Sequence, residues 1–373
     1  MPSIRHVLIV IRTATTLWWL SALTESVFGD DVRVRVSFTL DDSSVFSAAA
    51  ASSIRAHGGR FLSWTEATAR SFDLAIASSH RGRLDELRSP LLIVPHGPGF
   101  TKKIALATRG HAPQPQTECT PKTIVAVTHP SQARFWSRES AEIFVAGDPC
   151  LDALLASASH RDEYRRAFNV QANQRLVLVS STWGSGSLLH REPHLFASVA
   201  SELPASRYRI GAVLHPNIWS MYGDWQLRVW FREALRLGMM LIPPRGAWRA
   251  AVVAADFLLG DHGSVSWYAH AIGLPVMLAA TGGSEVVPGT AAADLVARAP
   301  LWRAGPALLA EIERSARTEP PNVDADVAMQ GCALQRYREV IYQRLHLQAP
   351  TGHVQAVSVD MPTGPLEAHA WWT

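Results

Sequence analysis

The stretch Val253–Ala280, VAADFLLGDHGSVSWYAHAIGLPVMLAA, runs through an apolar segment, a small-residue loop, a helical segment and a second apolar segment without a break. Phe257–Leu259 reads as the end of an apolar strand, Gly260–Ser264 as a loop, Trp267–Ile272 as a helix, and Pro275–Leu278 as the start of the next strand. Such a unit sets backbone N–H groups and the positive end of a helix dipole just beyond a strand. With Ser264 expected at the N-cap, the loop is a natural seat for a phosphate.

The same alternation extends outward in both directions. His6–Ile11 reads as a strand, Thr15–Val27 as a helix, Val32–Leu40 as a strand, and Ser47–His57 as a helix stopped by Gly58 and Gly59. Phe72–Ala77 and Leu91–Pro95 are further short strands. A second series begins near Arg175, with Leu176–Ser181 a strand, Leu188–Leu203 a helix, Tyr208–Pro216 a strand, Gln226–Leu237 a helix and Met239–Pro244 a strand. Strand and helix in strict succession favour a parallel sheet covered by helices, and two such series predict two Rossmann-like domains with a cleft between them. The expected division is an acceptor-side domain over residues 1–150, a nucleotide-side domain over 151–328, and a helix with an irregular tail over 329–373. Met329–Leu345 is the helix that would pack back.

Length and composition agree with this α/β reading. A chain of 373 residues exceeds one comfortable core, so two domains of roughly 150 to 200 residues are expected. A content of 47% hydrophobic and 18% charged residues excludes global disorder. The formal net charge of +3 permits attraction to phosphate, but no nucleic-acid-binding motif accompanies it. Cys119, Cys150 and Cys332 are odd in number and far apart, which suits a reducing compartment better than a disulfide framework. No apolar run reaches the roughly 20 residues that cross a bilayer, and Arg12 interrupts the N-terminal apolar run as strand gives way to helix. A cytoplasmic protein is expected, with peripheral contact at the inner face of the membrane left open; oligomeric state is not legible.

Ligands of open α/β sheets bind beyond the carboxyl ends of strands, so residues just after apolar runs are the first candidates. Four clusters satisfy this rule. In Pro95–Lys103, PHGPGFTKK, the His96 imidazole is held at a loop tip beside Gly97 as a candidate general base, and Lys102 and Lys103 add charge near an acceptor phosphate. The competing reading is a loop histidine with solvated lysines. In Ser180–Ser187, SSTWGSGS, the hydroxyls of Ser181 and Thr182, the Trp183 ring and the bare backbone at Gly184 can approach a phosphate, although neither a dinucleotide fingerprint nor a P-loop is present. His215, fixed by Pro216 at a strand end, is a candidate donor to a leaving diphosphate, or else structural. Asp261, His262, Gly263 and Ser264 form the fourth cluster. His190 and His194 have metal-like spacing, but Pro193 disturbs the helix between them and no third ligand is evident. Asp41 and Asp42 read as a loop end, Trp18 and Trp19 as core or interface, and Arg161–Arg166 as a solvated helical face.

Taken in order, PHGPGFTKK, FVAGDPCLDALL, STWGSGSLL, LHPN and LLGDHGSVSWYAHAIGLPVML resemble the CDP-glycerol glycerophosphotransferase family, which includes teichoic acid polymerases and primases. The resemblance spans about Pro95 to Leu278. Where the family has HGTP this chain has HGPG, and where it has DYSS this chain has DHGS. The resemblance implies a GT-B fold, a donor nucleotide held by the C-terminal half, and transfer of glycerol phosphate from CDP-glycerol to a hydroxyl acceptor with release of CMP. It further implies that His96 is the base, that His215 contacts the donor phosphates, and that Asp261, Gly263 and Ser264 lie in the donor loop. The same loop followed by TGGSE (Thr281–Glu285) is also similar to UDP-N-acetylglucosamine 2-epimerases and other GT-B glycosyltransferases, which hold a UDP-sugar there. None of these readings requires a metal or a cofactor. A noncatalytic nucleotide-binding protein on the same fold is the remaining alternative.

Overall fold

The computed structural model describes residues 4–43, 47–99, 123–136, 141–302, 308–314 and 331–362. Lys102, Lys103 and Cys119 lie outside these residues. The described residues form two compact units, one of residues up to 149 together with 331–356, the other of 150–314 together with 357–362.

Seven parallel strands make the sheet of the first unit: β1 (Arg5–Ile11), β2 (Val34–Leu40), β3 (Phe61–Leu62), β4 (Leu74–Ala77), β5 (Leu91–Ile93), β6 (Thr123–Val127) and β7 (Glu142–Val145), in the order β3-β2-β1-β4-β5-β6-β7. In β1 the run Val7–Ile11 is wholly buried because both faces of this central strand are covered, which is why it reads as continuous and not alternating apolar sequence. Val7, Ile9 and Ile11 enter one core layer while Leu8 and Val10 enter the other. Three helices follow in the first part of the chain: α1 (Ala14–Phe28), α2 (Ser47–His57) and α3 (Trp64–Ala69). α1 starts at a capping box between Thr13 and Thr16, which satisfies donors that would otherwise be orphaned at its first turn. The returning helix Ala333–Arg344 belongs to this unit, with Tyr337 edge-on to both Trp19 and Phe144 and Tyr342 against Phe28. The Tyr342 hydroxyl donates to Asp31 at 2.8 Å, and Arg33 donates twice to the same carboxylate at 2.9 and 2.7 Å.

The second unit carries five parallel strands, β8 (Arg175–Ser181), β9 (Tyr208–Leu214), β10 (Met240–Ile242), β11 (Phe257–Asp261) and β12 (Val276–Ala280), in the order β10-β9-β8-β11-β12. Its helices are α4 (Pro149–Ala156), α5 (Arg161–Ala167), α6 (Leu188–Arg191), α7 (Leu195–Glu202), α8 (Pro216–Trp230), α9 (Arg232–Arg236), α10 (Ala247–Ala254), α11 (Ser264–Ala271), α12 (Ala291–Arg298) and α13 (Leu308–Arg314). Val253 and Ala254 close α10, and the strand begins only at Phe257. Every residue of α10 from Ala250 to Ala254 is buried, and Arg249 is the helix's one polar residue, so little in its sequence betrays the helical period. The helix expected over Leu188–Leu203 is broken into α6 and α7 at Pro193, which leaves His190 in α6 and His194 at the N-cap of α7. α8 starts at Pro216, ten residues before the expected helix start, and is kinked where Gly223 adopts φ 74° and ψ 161°. One side of α5 is not solvated: Arg161 and Arg165 grip Asp256 at 2.5 and 2.7 Å, and Asp256 also accepts the Leu176 N–H at 2.7 Å. The irregular tail is anchored on this unit, since Val359 donates its N–H to Ser157 and accepts from the Tyr164 hydroxyl.

In both sheets the chain fills one side and then reverses, so a topological switch falls between β1 and β4 in the first unit and between β8 and β11 in the second. Crevices beyond these strand ends are where such sheets take ligands.

Candidate functional site

The β8/β11 switch is closed by a carboxylate. Between Gly260 and Asp261 the pairing with β12 slips by one residue, a bulge that re-aims the Asp261 side chain. Asp261 is fully buried and accepts the N–H of Thr182 at 2.9 Å, of Leu188 at 2.8 Å and of Gly263 at 3.0 Å, with the Ser181 hydroxyl at 3.4 Å. Burial raises its pKa, while His262 and the backbone donors pull it down. Thus the acidic residue expected in the donor loop ties the β8 and β11 loops together. Ser181 is part of the same knot, donating to the Thr182 carbonyl and accepting from Leu189 N–H.

Beside the knot α11 begins. Gly263, not Ser264, is its N-cap, because the Asp261 carboxylate draws the Gly263 N–H into the preceding turn and Ser264 becomes the first helical residue. A Cβ on Gly263 would stand 2.8 Å from Thr182 Cβ, so only glycine lets the two loops meet. Among the described residues no side chain caps α11, and its first turn holds no acidic residue. The donors of that turn, Ser264, Val265 and Ser266, are therefore offered with the helix dipole behind them.

His215 occupies the end of the neighbouring strand β9 and caps α8, its Nδ1 accepting the Asn217 N–H at 3.0 Å. That bond assigns the proton of the neutral ring to Nε2, the tautomer needed to donate to a phosphate. Trp183 lies beside it, with ring centroids 6.3 Å apart. Gly184 adopts φ 100°, turning the β8 loop so that its carbonyl accepts from Ser187. His262 is buried under Gly282 and faces Glu285 at 3.5 Å. Glu285, overlooked in the sequence, accepts from the Ser185 hydroxyl and the Gly186 N–H, both at 2.8 Å. It follows strand β12, so the strand-end rule would have found it.

In the first unit His96 follows β5 and donates through Nδ1 to the Ser78 carbonyl at 2.8 Å. Nε2 is thereby left as the basic nitrogen. The ring is open to solvent, yet enough protein surrounds it that desolvation lowers its pKa, against the opposing pull of the Ser78 bond. Gly97 and Gly99 both adopt positive φ, and the Gly99 position is filled on its open side by the Gln132 amide. Gln132 braces the loop by donating to the Pro98 carbonyl at 2.9 Å and to Thr128 Oγ1 at 2.8 Å. Asp41 stands at the loop end after β2, as expected, and is buried there between Arg12 and Arg83 at 3.3 and 3.7 Å. These residues come from loops distant in sequence, which is why their pairing was not visible there.

No family model matches the chain, and no curated protein matches it. Solved structures do. The Staphylococcus aureus MnaA co-structure with UDP is similar over 94% of this chain and 99% of its own, at 11% identity and a TM-score of 0.50. The wall teichoic acid polymerase TagF soaked with CDPG matches 91% of this chain and 84% of its own at 12% identity and a TM-score of 0.47. Anabaena Alr3699/HepE in complex with UDP and glucose matches 91% and 95%, respectively, at 15% identity and a TM-score of 0.42. At these identities the likeness speaks to fold alone, and it agrees with the two parallel sheets of seven and five strands: the chain has a GT-B-like fold of two Rossmann-like units.

Proposed function

We propose that the chain is a transferase that moves glycerol phosphate, or a closely related group, from a CDP-activated donor to an acceptor hydroxyl. The observation that carries this reading is the start of α11: an uncapped helix N-terminus at the β8/β11 switch, with its acidic neighbour Asp261 already engaged by the loops. An anion from outside is what such a terminus lacks. In this reading the Ser264–Ser266 amides and the His215 Nε2–H hold the donor diphosphate, and the Trp183 side chain borders it. His96 takes the proton of the acceptor hydroxyl on Nε2. The acceptor oxygen then attacks the phosphorus that bears the glycerol group, its bond to the CMP oxygen breaks, and CMP leaves with its charge met by His215 and the amides. The His96 proton passes to solvent.

A second reading, a nucleotide-sugar enzyme, is favoured by the UDP in the MnaA co-structure, the fold match at a TM-score of 0.50. Calorimetric titration separates the two. Binding of CDP-glycerol and not of UDP-sugars supports glycerophosphate transfer, whereas binding of UDP-sugars alone overturns it. In either case His215→Ala should weaken donor binding by about tenfold or more, the worth of one charge-assisted hydrogen bond. His96→Ala should lower turnover by about 100-fold while donor affinity is kept. Equal turnover would remove His96 from the chemistry.

A further inference from the structure

Arg81 is a cation that the described residues leave without a counter-charge. It lies in the turn after β4, half-buried, and among the described residues its guanidinium has neither a hydrogen bond nor an ion pair; only its backbone N–H is engaged, by Ser79. Desolvation lowers its pKa. Its charged neighbour from the end of β1 is another cation, Arg12, on which Arg81 acts repulsively. His80, beside them and edge-on to the Trp136 ring at 5.5 Å, is held down to about 4 by desolvation and then by Arg81 and Arg12.

The nearby carboxylates are spoken for. Asp41 accepts the N–H groups of Ser43 and Arg83 and pairs with Arg12 and Arg83, and Asp42 pairs with Arg83 at 2.6 Å. Gly82 makes this arrangement possible: it adopts φ 105°, and a Cβ there would lie 1.8 Å from Asp41 Oδ2. The turn is therefore locked against Asp41 while Arg81 is kept out of the ion-pair network. A partly desolvated guanidinium beside a like charge, with no partner, is unfavourable until an anion joins it. The turn also stands at the β1/β4 switch, and the Ser78 carbonyl at its start holds His96.

We propose that this turn at the β1/β4 switch is an anion site in which the Arg81 guanidinium forks a compact oxyanion, phosphate or carboxylate, beside Arg12, and that the acceptor is a hydroxyl compound bearing such a group. The acceptor assignment rests on the reading of His96 as the acceptor's base; the anion site itself does not. Arg suits the role because its planar donors match both oxyanions bidentately.

The test titrates the full chain with inorganic phosphate, and separately with acetate, at constant ionic strength set by chloride, while the His80 imidazole is followed by NMR. A bound anion stabilises the imidazolium, so the His80 pKa should rise from about 4. The Arg81 side chain holds no other part of the fold, so Arg81→Gln should melt as the wild type does and bind the anion about tenfold or more weakly. Arg81→Lys should recover part of the loss. A larger response to phosphate than to acetate selects a phosphorylated acceptor, and the reverse a carboxylated one. No His80 response in the wild type, or the same response in Arg81→Gln, overturns the site. Should Arg81→Gln bind phosphate normally while His96→Ala loses turnover, the site falls and the transferase stands. Should phosphate depend on Arg81 while His96→Ala keeps full turnover, the base falls and the site stands.

Discussion

Replacing Asp261 by Asn separates a structural knot from a ligand contact. Its two oxygens divide the donors, Oδ2 accepting from Leu188 at 2.8 Å and Oδ1 from Gly263 at 3.0 Å, with the Thr182 N–H shared between them at 2.9 and 3.2 Å. An asparagine can turn its one oxygen to only one side and must set an NH2 donor against at least one of these N–H groups. One orphaned buried donor costs about 1–3 kcal/mol, and Asp261→Ala, which orphans three, costs at most about 3–9 kcal/mol if the losses add. For a domain of this size each kcal/mol lowers the melting temperature by roughly 2–4 °C, so Asp261→Asn should melt about 2–12 °C lower. Differential scanning calorimetry of the full chain is the assay, because it resolves the two units if they melt separately. A melting temperature within about 1 °C of wild type would refute the knot. Donor binding lost at unchanged stability would assign Asp261 to the ligand instead.

Three further outcomes are expected. Gly263→Ala should cost about 1–3 kcal/mol by overpacking and weaken nucleotide binding, since its Cβ would press on Thr182 at 2.8 Å; calorimetry reads both. Because the His96 pKa is lowered, its basic form persists to lower pH, and the acid limb of kcat/KM should fall below the ordinary imidazole value near 6.5 and vanish in His96→Ala. Asp31, held well below the usual carboxylate range first by its hydrogen bonds from Arg33, contributes stability above its unfolded pKa that is lost as pH falls through the folded one. The melting-temperature gap between wild type and Asp31→Asn should therefore be wide at pH 7 and narrow on acidification, as thermal melts across that range will register.

The strand and helix succession was legible because parallel strands buried on both faces are written as unbroken apolar runs, as in Val7–Ile11 and Leu176–Val179. The same rule misread Val253 and Ala254, since the wholly buried apolar run Ala250–Ala254 that ends the alanine-rich helix displays no period. The strand-end positions of His96, His215 and the Asp261 loop were also readable, being fixed by local order. What each does there was not. Asp261 meets its partners Ser181, Thr182 and Leu188 73 to 80 positions away in the chain, and Asp41 meets Arg83 42 positions away, contacts that only the sheet order creates. Arg81 gave no signal of its own, because what distinguishes it is the absence of a partner among the described residues once Asp41 is taken.

Whether α11 receives the donor phosphates is decided by a crystal structure of the chain with bound CDP. Diphosphate oxygens are expected within hydrogen-bonding distance of the Ser264–Ser266 amides and of His215 Nε2. A diphosphate seated elsewhere, with those amides facing only water, would contradict that placement.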